Sequence, residues 1–229
     1  MKNNNTEREF ILISDPEILK IATCENNEEF VDLVDQTTIA FGPSPEIPNN
    51  SDYTKIRKKV YEMLVRAQNI LPSGIKLCIY EGHRSLELQE KLYSHRYNKV
   101  KIINTSWDHK QIFLEATKLV APLINLDGSK NIPPHSTGGA VDVYLIDENG
   151  KKLDMGIETD NWINDIDGKL SKTDSNVISE LAINNRKIMS YVLKKVGFIN
   201  YPTEYWHWSY GDRYWAYHKR KNYAIYGPK

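Results

Sequence analysis

Between residues 140 and 153 the chain spells out a strand, a turn and a returning strand. Ala140, Asp142, Tyr144 and Ile146 alternate with Val141, Val143 and Leu145, so the two sets fall on opposite faces of an extended segment. Asp147-Glu148-Asn149-Gly150 follows, and Asn-Gly tolerates the positive φ of a tight hairpin turn. A short return strand is expected at 151–153. The face built from Val141, Val143 and Leu145 is wholly apolar and belongs in a core. Asp142 then looks the other way.

Helices must supply part of that core. Ile178, Leu181, Ala182, Asn185, Ile188, Met189, Val192, Leu193 and Val196 form a wide stripe at helical spacing, and Gly197 sits where a C-terminal cap belongs. Ser51 or Asp52 can cap an earlier helix whose buried face is Ile56, Val60, Leu64 and Ala67. Pro72-Ser73-Gly74 ends it. Ile75, Leu77 and Ile79 then alternate with Lys76, Cys78 and Tyr80 as a strand. Glu81-Gly82-His83-Arg84 turns out of that strand, and Ser85 can cap a helix running to about residue 93. The pattern weakens over 94–107. Asp108 and Gln111 then resemble a capping box for a helix with Ile112, Ala116, Leu119 and Val120 on one face. Residues 41–50 and 125–134 read as Gly/Pro/Asn loops, and 158–174 is polar and irregular. Short strands are expected at 198–201 and 206–210, before an aromatic tail. Helices and strands are interspersed, and hairpins outnumber parallel crossovers. The expected class is α+β, with a mainly antiparallel sheet flanked by helices.

The length of 229 residues suits one domain with its own core. Lys plus Arg equals Asp plus Glu at 30 each, which gives no electrostatic reason for a nucleic-acid or anionic-membrane partner. No apolar run has the length of a membrane span, and Phe10 to Ile13 is too short for a signal-peptide core. A cytoplasmic protein is expected. Cys24 and Cys78 are too few for a disulfide framework in a chain this long, and Cys78 reads as a buried thiol.

The chemistry gathers in two short stretches. Pro134-His135-Ser136-Thr137-Gly138-Gly139-Ala140-Val141-Asp142 places a His before a glycine turn and an Asp inside the strand. Gly138-Gly139 lets the backbone fold sharply, so His135 can return toward Asp142. Imidazole nitrogen and carboxylate oxygen both suit zinc; a His and an Asp at a solvated loop edge is the plainer alternative. Glu204-Tyr205-Trp206-His207 is the second stretch. In a flat strand Glu204 and His207 face opposite sides. In a bend, which Pro202-Thr203 favours, they face the same side, and His207 can bind a metal while Glu204 reaches a water on it. An aromatic strand with a surface Glu is the alternative. Arg84 at a strand end can hold an oxyanion or a carboxylate, or sit on the surface. Asp160 can pair with a substrate ammonium. His83, His95, His109 and His218 lack a comparable partner pattern and read as surface or structural residues, with His83 set apart by its neighbour Arg84.

At these residues the chain resembles the zinc D-alanyl-D-alanine dipeptidases of the peptidase M15 family. The resemblance rests on His135-Ser136-Thr137-Gly138-Gly139-Ala140-Val141-Asp142, on Glu204-Tyr205-Trp206-His207, and on Gly82-His83-Arg84-Ser85 in place of the family's Gly-Tyr-Arg-Pro turn. It implies one Zn²⁺ held by His135, Asp142 and His207, and Glu204 as general base. It implies Arg84 at the oxyanion, Asp160 on the substrate's amino group, and a small peptide as substrate. The implied organisation is a catalytic domain over 51–229, with 1–50 as an extension packed on it. Relatives commonly carry Ser-x-His where this chain has Pro133-Pro134-His135, a departure that bears on substrate choice. The competing expectations are a D,D-carboxypeptidase or wall-lytic peptidase acting on larger peptidoglycan peptides, and an inactive zinc-binding module of the same fold.

Overall fold

The structure, a computed structural model, describes residues 10–43, 51–158 and 161–229. Its strands are β1 (Ala22–Thr23), β2 (Phe30–Asp32), β3 (Ala40–Phe41), β4 (Lys55–Arg57), β5 (Ile75–Glu81), β6 (Ala140–Asp147), β7 (Ile199–Asn200), β8 (His207–Ser209) and β9 (Tyr223–Ala224). Its helices are α1 (Pro16–Leu19), α2 (Lys58–Gln68), α3 (Leu86–Ile103), α4 (His109–Ala116), α5 (Glu180–Val196) and α6 (Arg213–His218).

The main sheet has the order β3-β5-β6-β8-β7. The pairs β5–β6, β6–β8 and β7–β8 are antiparallel, whereas β3 runs parallel to β5. The expected α+β class is therefore right, but the sheet is not strictly antiparallel. Two small ribbons, β1 with β9 and β2 with β4, tie residues 22–32 to later parts of the chain. In the main core, Val60, Met63 and Leu64 of α2 and Met189, Val192 and Leu193 of α5 meet Leu77, Ile79, Val141, Val143 and Leu145 of the sheet. Full burial of an aliphatic side chain such as Leu64 contributes about 1.5–3 kcal/mol. The capping readings at Ser85, Asp108 and Gly197 hold: Ser85 accepts from the Leu88 amide, Asp108 and Gln111 form a complete capping box, and Gly197 closes α5 at φ +113°.

Three element readings need correction. The helix expected from Ser51 or Asp52 begins only at Lys58. Residues 52–54 are a 3-10 turn and 55–57 are β4, because Ile56 is buried by pairing with Val31 rather than on a helix face. The helix after Ser85 runs on to Ile103. Its buried side includes Gln89 and Arg96, which donate to backbone carbonyls of Ala121 and Ile166, so no apolar stripe marks it. Phe41 also lies in a strand rather than a loop. Cys78 is buried as expected, and both cysteines are free. Among the described residues no helix is long and apolar enough to cross a membrane.

Candidate metal centre

His135 lies in a 3-10 turn, Pro134–Thr137, which Gly138 closes in the left-handed region at φ +67°. The chain reverses there and enters β6, and that reversal brings the His135 ring back over Asp142. A side chain at position 138 faces two obstacles. The left-handed backbone costs a non-glycine residue about 1–3 kcal/mol, and a Cβ would run into the Phe30 ring. Gly138→Ala is expected to lower unfolding stability by at least that amount, measured by urea titration of the metal-free protein.

Asp142 and His207 are direct cross-strand partners in the β6–β8 ladder. The bend before β8 is made by the Glu204 amide donating to Tyr201 O at 2.9 Å and the His207 amide donating to Glu204 O at 3.2 Å. Glu204 and His207 therefore face one cleft, as the bent reading requires. His135 Nε2 stands 3.1 Å from His207 Nδ1 and 3.3 Å from Asp142 Oδ1, and His207 Nδ1 stands 3.1 Å from the same oxygen. Ligand atoms about 2.0–2.2 Å from a tetrahedral zinc are about 3.3–3.6 Å apart. The triangle fits such an ion with small outward adjustment, and all three residues are buried.

The histidine tautomer also fits. His135 Nδ1 lies 2.8 Å from Gly82 O. A carbonyl only accepts, so Nδ1 carries the hydrogen and Nε2 presents its lone pair to the centre of the triangle. His207 Nε2 faces Ser209 Oγ at 3.4 Å.

Electrostatics separate the two carboxylates. Burial would raise the Asp142 acid, but the charges and hydrogen bonds of His135 and His207 hold it below the ordinary carboxylate range. Glu204 is pushed well above that range, first by burial and then by the Asp142 charge, with partial relief from His135 and Arg84. Trp206 Nε1 donates to Glu204 Oε2 at 2.9 Å and fixes the carboxyl in place. One acid is thus held as an anion beside two imidazoles, and a second is ready to hold a proton.

Arg84 lines the same cleft. Its guanidinium donates to Glu81 Oε2 and, at 3.0 Å, to Gln89 Oε1. Gln89 is itself held by Ala121 O at 2.7 Å. Ile13, Leu119, Val120, Trp162 and Pro134 contribute apolar wall to the cleft. The structure therefore brings together His135, Asp142, Glu204, His207 and Arg84. Asp160 lies outside the described residues. His83 is buried rather than exposed, packed on Phe30, and its imidazole resists protonation chiefly because it is buried.

Sequence reading missed the supports: Glu81, Gln89 and Trp206. Glu81 sits opposite Asp142 across β5 and β6 after a bulge, fully buried. Only the Glu81-x-x-Arg84 spacing hinted at it, and the same spacing occurs in many surface turns.

The chain matches the family described as D-ala-D-ala dipeptidase, peptidase M15, over residues 52–224. It is also 23% identical over 178 residues to a D-alanyl-D-alanine dipeptidase of Synechocystis sp. (strain ATCC 27184 / PCC 6803 / Kazusa), covering 71% of this chain and 70% of that relative.

Proposed function

The chain belongs to the D-ala-D-ala dipeptidase family, and from that premise we propose that it is a zinc-dependent peptidase hydrolysing small D-amino-acid dipeptides, D-alanyl-D-alanine first among them. The observation that carries this reading is the convergence of His135 Nε2, Asp142 Oδ1 and His207 Nδ1 within 3.1–3.3 Å of one another, beside Glu204 in a cleft. His135, Asp142 and His207 would hold the ion. When bound, it supplies Lewis acidity and lowers the pKa of a coordinated water to about 7.

The remaining steps belong to side chains. Glu204, held by Trp206, takes a proton from the attacking water as its oxygen bonds to the scissile carbonyl carbon. The same carboxyl then returns that proton to the leaving nitrogen as the C–N bond breaks, and the remaining water proton passes from the new carboxylic acid to the amine, leaving a carboxylate and an ammonium. Arg84, clamped by Glu81 and Gln89, offers a fixed cation to the oxyanion that develops on the carbonyl oxygen. A preorganised donor of this kind is worth about 10²–10³ in kcat. Arg84→Met is expected to lose that factor in kcat while zinc content stays at one per chain, read by steady-state kinetics and metal analysis.

The cleft also supports a small substrate. Pro133 stands where relatives carry a hydroxyl, Pro134 beside it contributes wall, and the neighbouring hydroxyls are already used: Ser136 donates to Pro133 O at 2.8 Å and Thr137 to Pro134 O at 2.6 Å. Recognition in this corner then rests on shape. The deciding assay compares D-Ala-D-Ala, L-Ala-L-Ala and N-acetyl-D-Ala-D-Ala, with and without chelator. Turnover of the free D,D-dipeptide that stops on chelation and returns with zinc is the expected result. Preference for the blocked peptide would move the assignment to a carboxypeptidase, and a zinc-loaded protein inert toward all three would sink it.

A further inference from the structure

Arg57, the last residue of β4, is fully buried at 0% exposure and lies outside the cleft. Its Nε donates to Thr137 O at 2.7 Å. One terminal nitrogen donates to Glu28 O at 2.6 Å and Glu25 Oε1 at 3.0 Å. The other donates to Glu25 Oε2 at 2.8 Å and Gly227 O at 3.3 Å. The rings of Tyr226 and Phe30 lie 4.7 and 5.3 Å from the guanidinium carbon. The Arg57 amide also donates to Gly138 O at 3.0 Å. Thr137 and Gly138 follow His135 in the same tight turn, so Arg57 grips that turn twice, by side chain and by backbone.

A buried guanidinium is a costly way to fill space. Removing a charge from water costs several kcal/mol, and apolar residues of similar volume often replace such pairs without loss. What the guanidinium provides is geometry: a rigid planar fork that binds a carboxylate bidentately and carbonyls at set angles. Here the fork joins the 25–28 segment, the His135 turn and the 226–227 segment. The turn has little regular pairing of its own. Among the described residues its other outside holds include the Lys229 amide on Ser136 O at 2.9 Å, the Arg84 amide on His135 O at 3.3 Å and the His135 ring on Gly82 O at 2.8 Å.

We propose that buried Arg57, paired with half-buried Glu25, is a positioning device for the metal site, setting the height and tilt of the turn that presents His135. The proposal rests on the reading of His135 as a metal ligand. Groups that orient a ligand from behind typically contribute 10–100-fold to metal affinity. Glu25→Gln keeps the shape of the carboxyl and removes its charge, and Arg57→Lys keeps the charge and removes the fork. Each is expected to weaken zinc binding about 10–100-fold in competition with a chromophoric chelator. At saturating zinc, the KM for dipeptide should stay at the wild-type value. The visible spectrum of the Co²⁺-substituted variants should change, because the His135 geometry changes. Leu64→Ala, a core truncation in α2, serves as control: it should lower the melting temperature of the metal-free protein and leave zinc affinity unchanged. Affinity at the wild-type level in both pair variants overturns the proposal. So does an equal loss of affinity in Leu64→Ala, which would reduce the pair to general stability. A wild-type protein that takes up no zinc overturns the metal reading itself, and this proposal with it.

Discussion

Glu204→Gln is expected to lower kcat by about 10²–10⁴-fold and to leave zinc content at one ion per chain. The substitution keeps size and shape, and the new amide oxygen still accepts from Trp206 Nε1, which now contacts Oε2 at 2.9 Å. Only the capacity to take and return a proton is lost. The same variant carries a second signature that needs no substrate. In the metal-free protein the Glu204 carboxyl holds its proton more tightly than an unfolded chain would, because burial and then Asp142 disfavour its charge. The native state therefore binds more protons than the unfolded state from about pH 4.5 upward. Stability falls as pH rises through that window, until the native carboxyl too has ionised. An uncharged amide at this position escapes the penalty. The variant should melt at the same temperature as wild type near pH 4 and above it at neutral pH, as read by calorimetry without metal. Full turnover in the purified variant would end the assignment of Glu204 as base.

Removing a ligand charge should be just as damaging, by another route. Asp142→Asn keeps the β6–β8 ladder and much of the local volume. It removes the one anion between His135 Nε2 and His207 Nδ1, each within 3.3 Å of its Oδ1. A neutral amide is a poor ligand for a divalent ion, and the site would be left with two neutral imidazoles. Zinc should be lost on gel filtration, and activity should fall to the background rate. A large excess of zinc should restore a part of it. Wild-type zinc content after gel filtration would show that Asp142 is not a ligand.

How much of this was legible beforehand depends on how local each signal is. The β6 alternation, the Asn-Gly turn and the Gly197 cap are written in neighbouring residues and appear as read, and most of the α5 stripe does too, although Ile178 precedes the helix and Leu181 is exposed. The cluster of His135, Asp142 and His207 was legible because residue type, spacing and a glycine turn coincide. Elements fixed by distant partners were not. β4 looked helical because Ile56 is in phase with Val60, yet its pairing with Val31 decides its conformation. The parallel β3–β5 pairing lies beside a proline-rich stretch that reads as loop. Nothing in the residues beside Arg57 marks it out. Its role depends on Glu25, 32 residues earlier, and Thr137, 80 residues later.

The cross-strand pairing of Asp142 with His207 has a consequence for the unfolded chain as well. These partners are 65 residues apart, in a chain whose two cysteines are both free. An ion gripping both would act as a reversible staple across that span. The grip exists only while β6 and β8 are paired, so the ion favours the folded chain by mass action. At free metal about 1,000 times the dissociation constant, that preference is worth about 4 kcal/mol. The ion that serves hydrolysis would then also decide how often the sheet opens, and a metal-starved cell would hold a protein both inactive and easier to degrade.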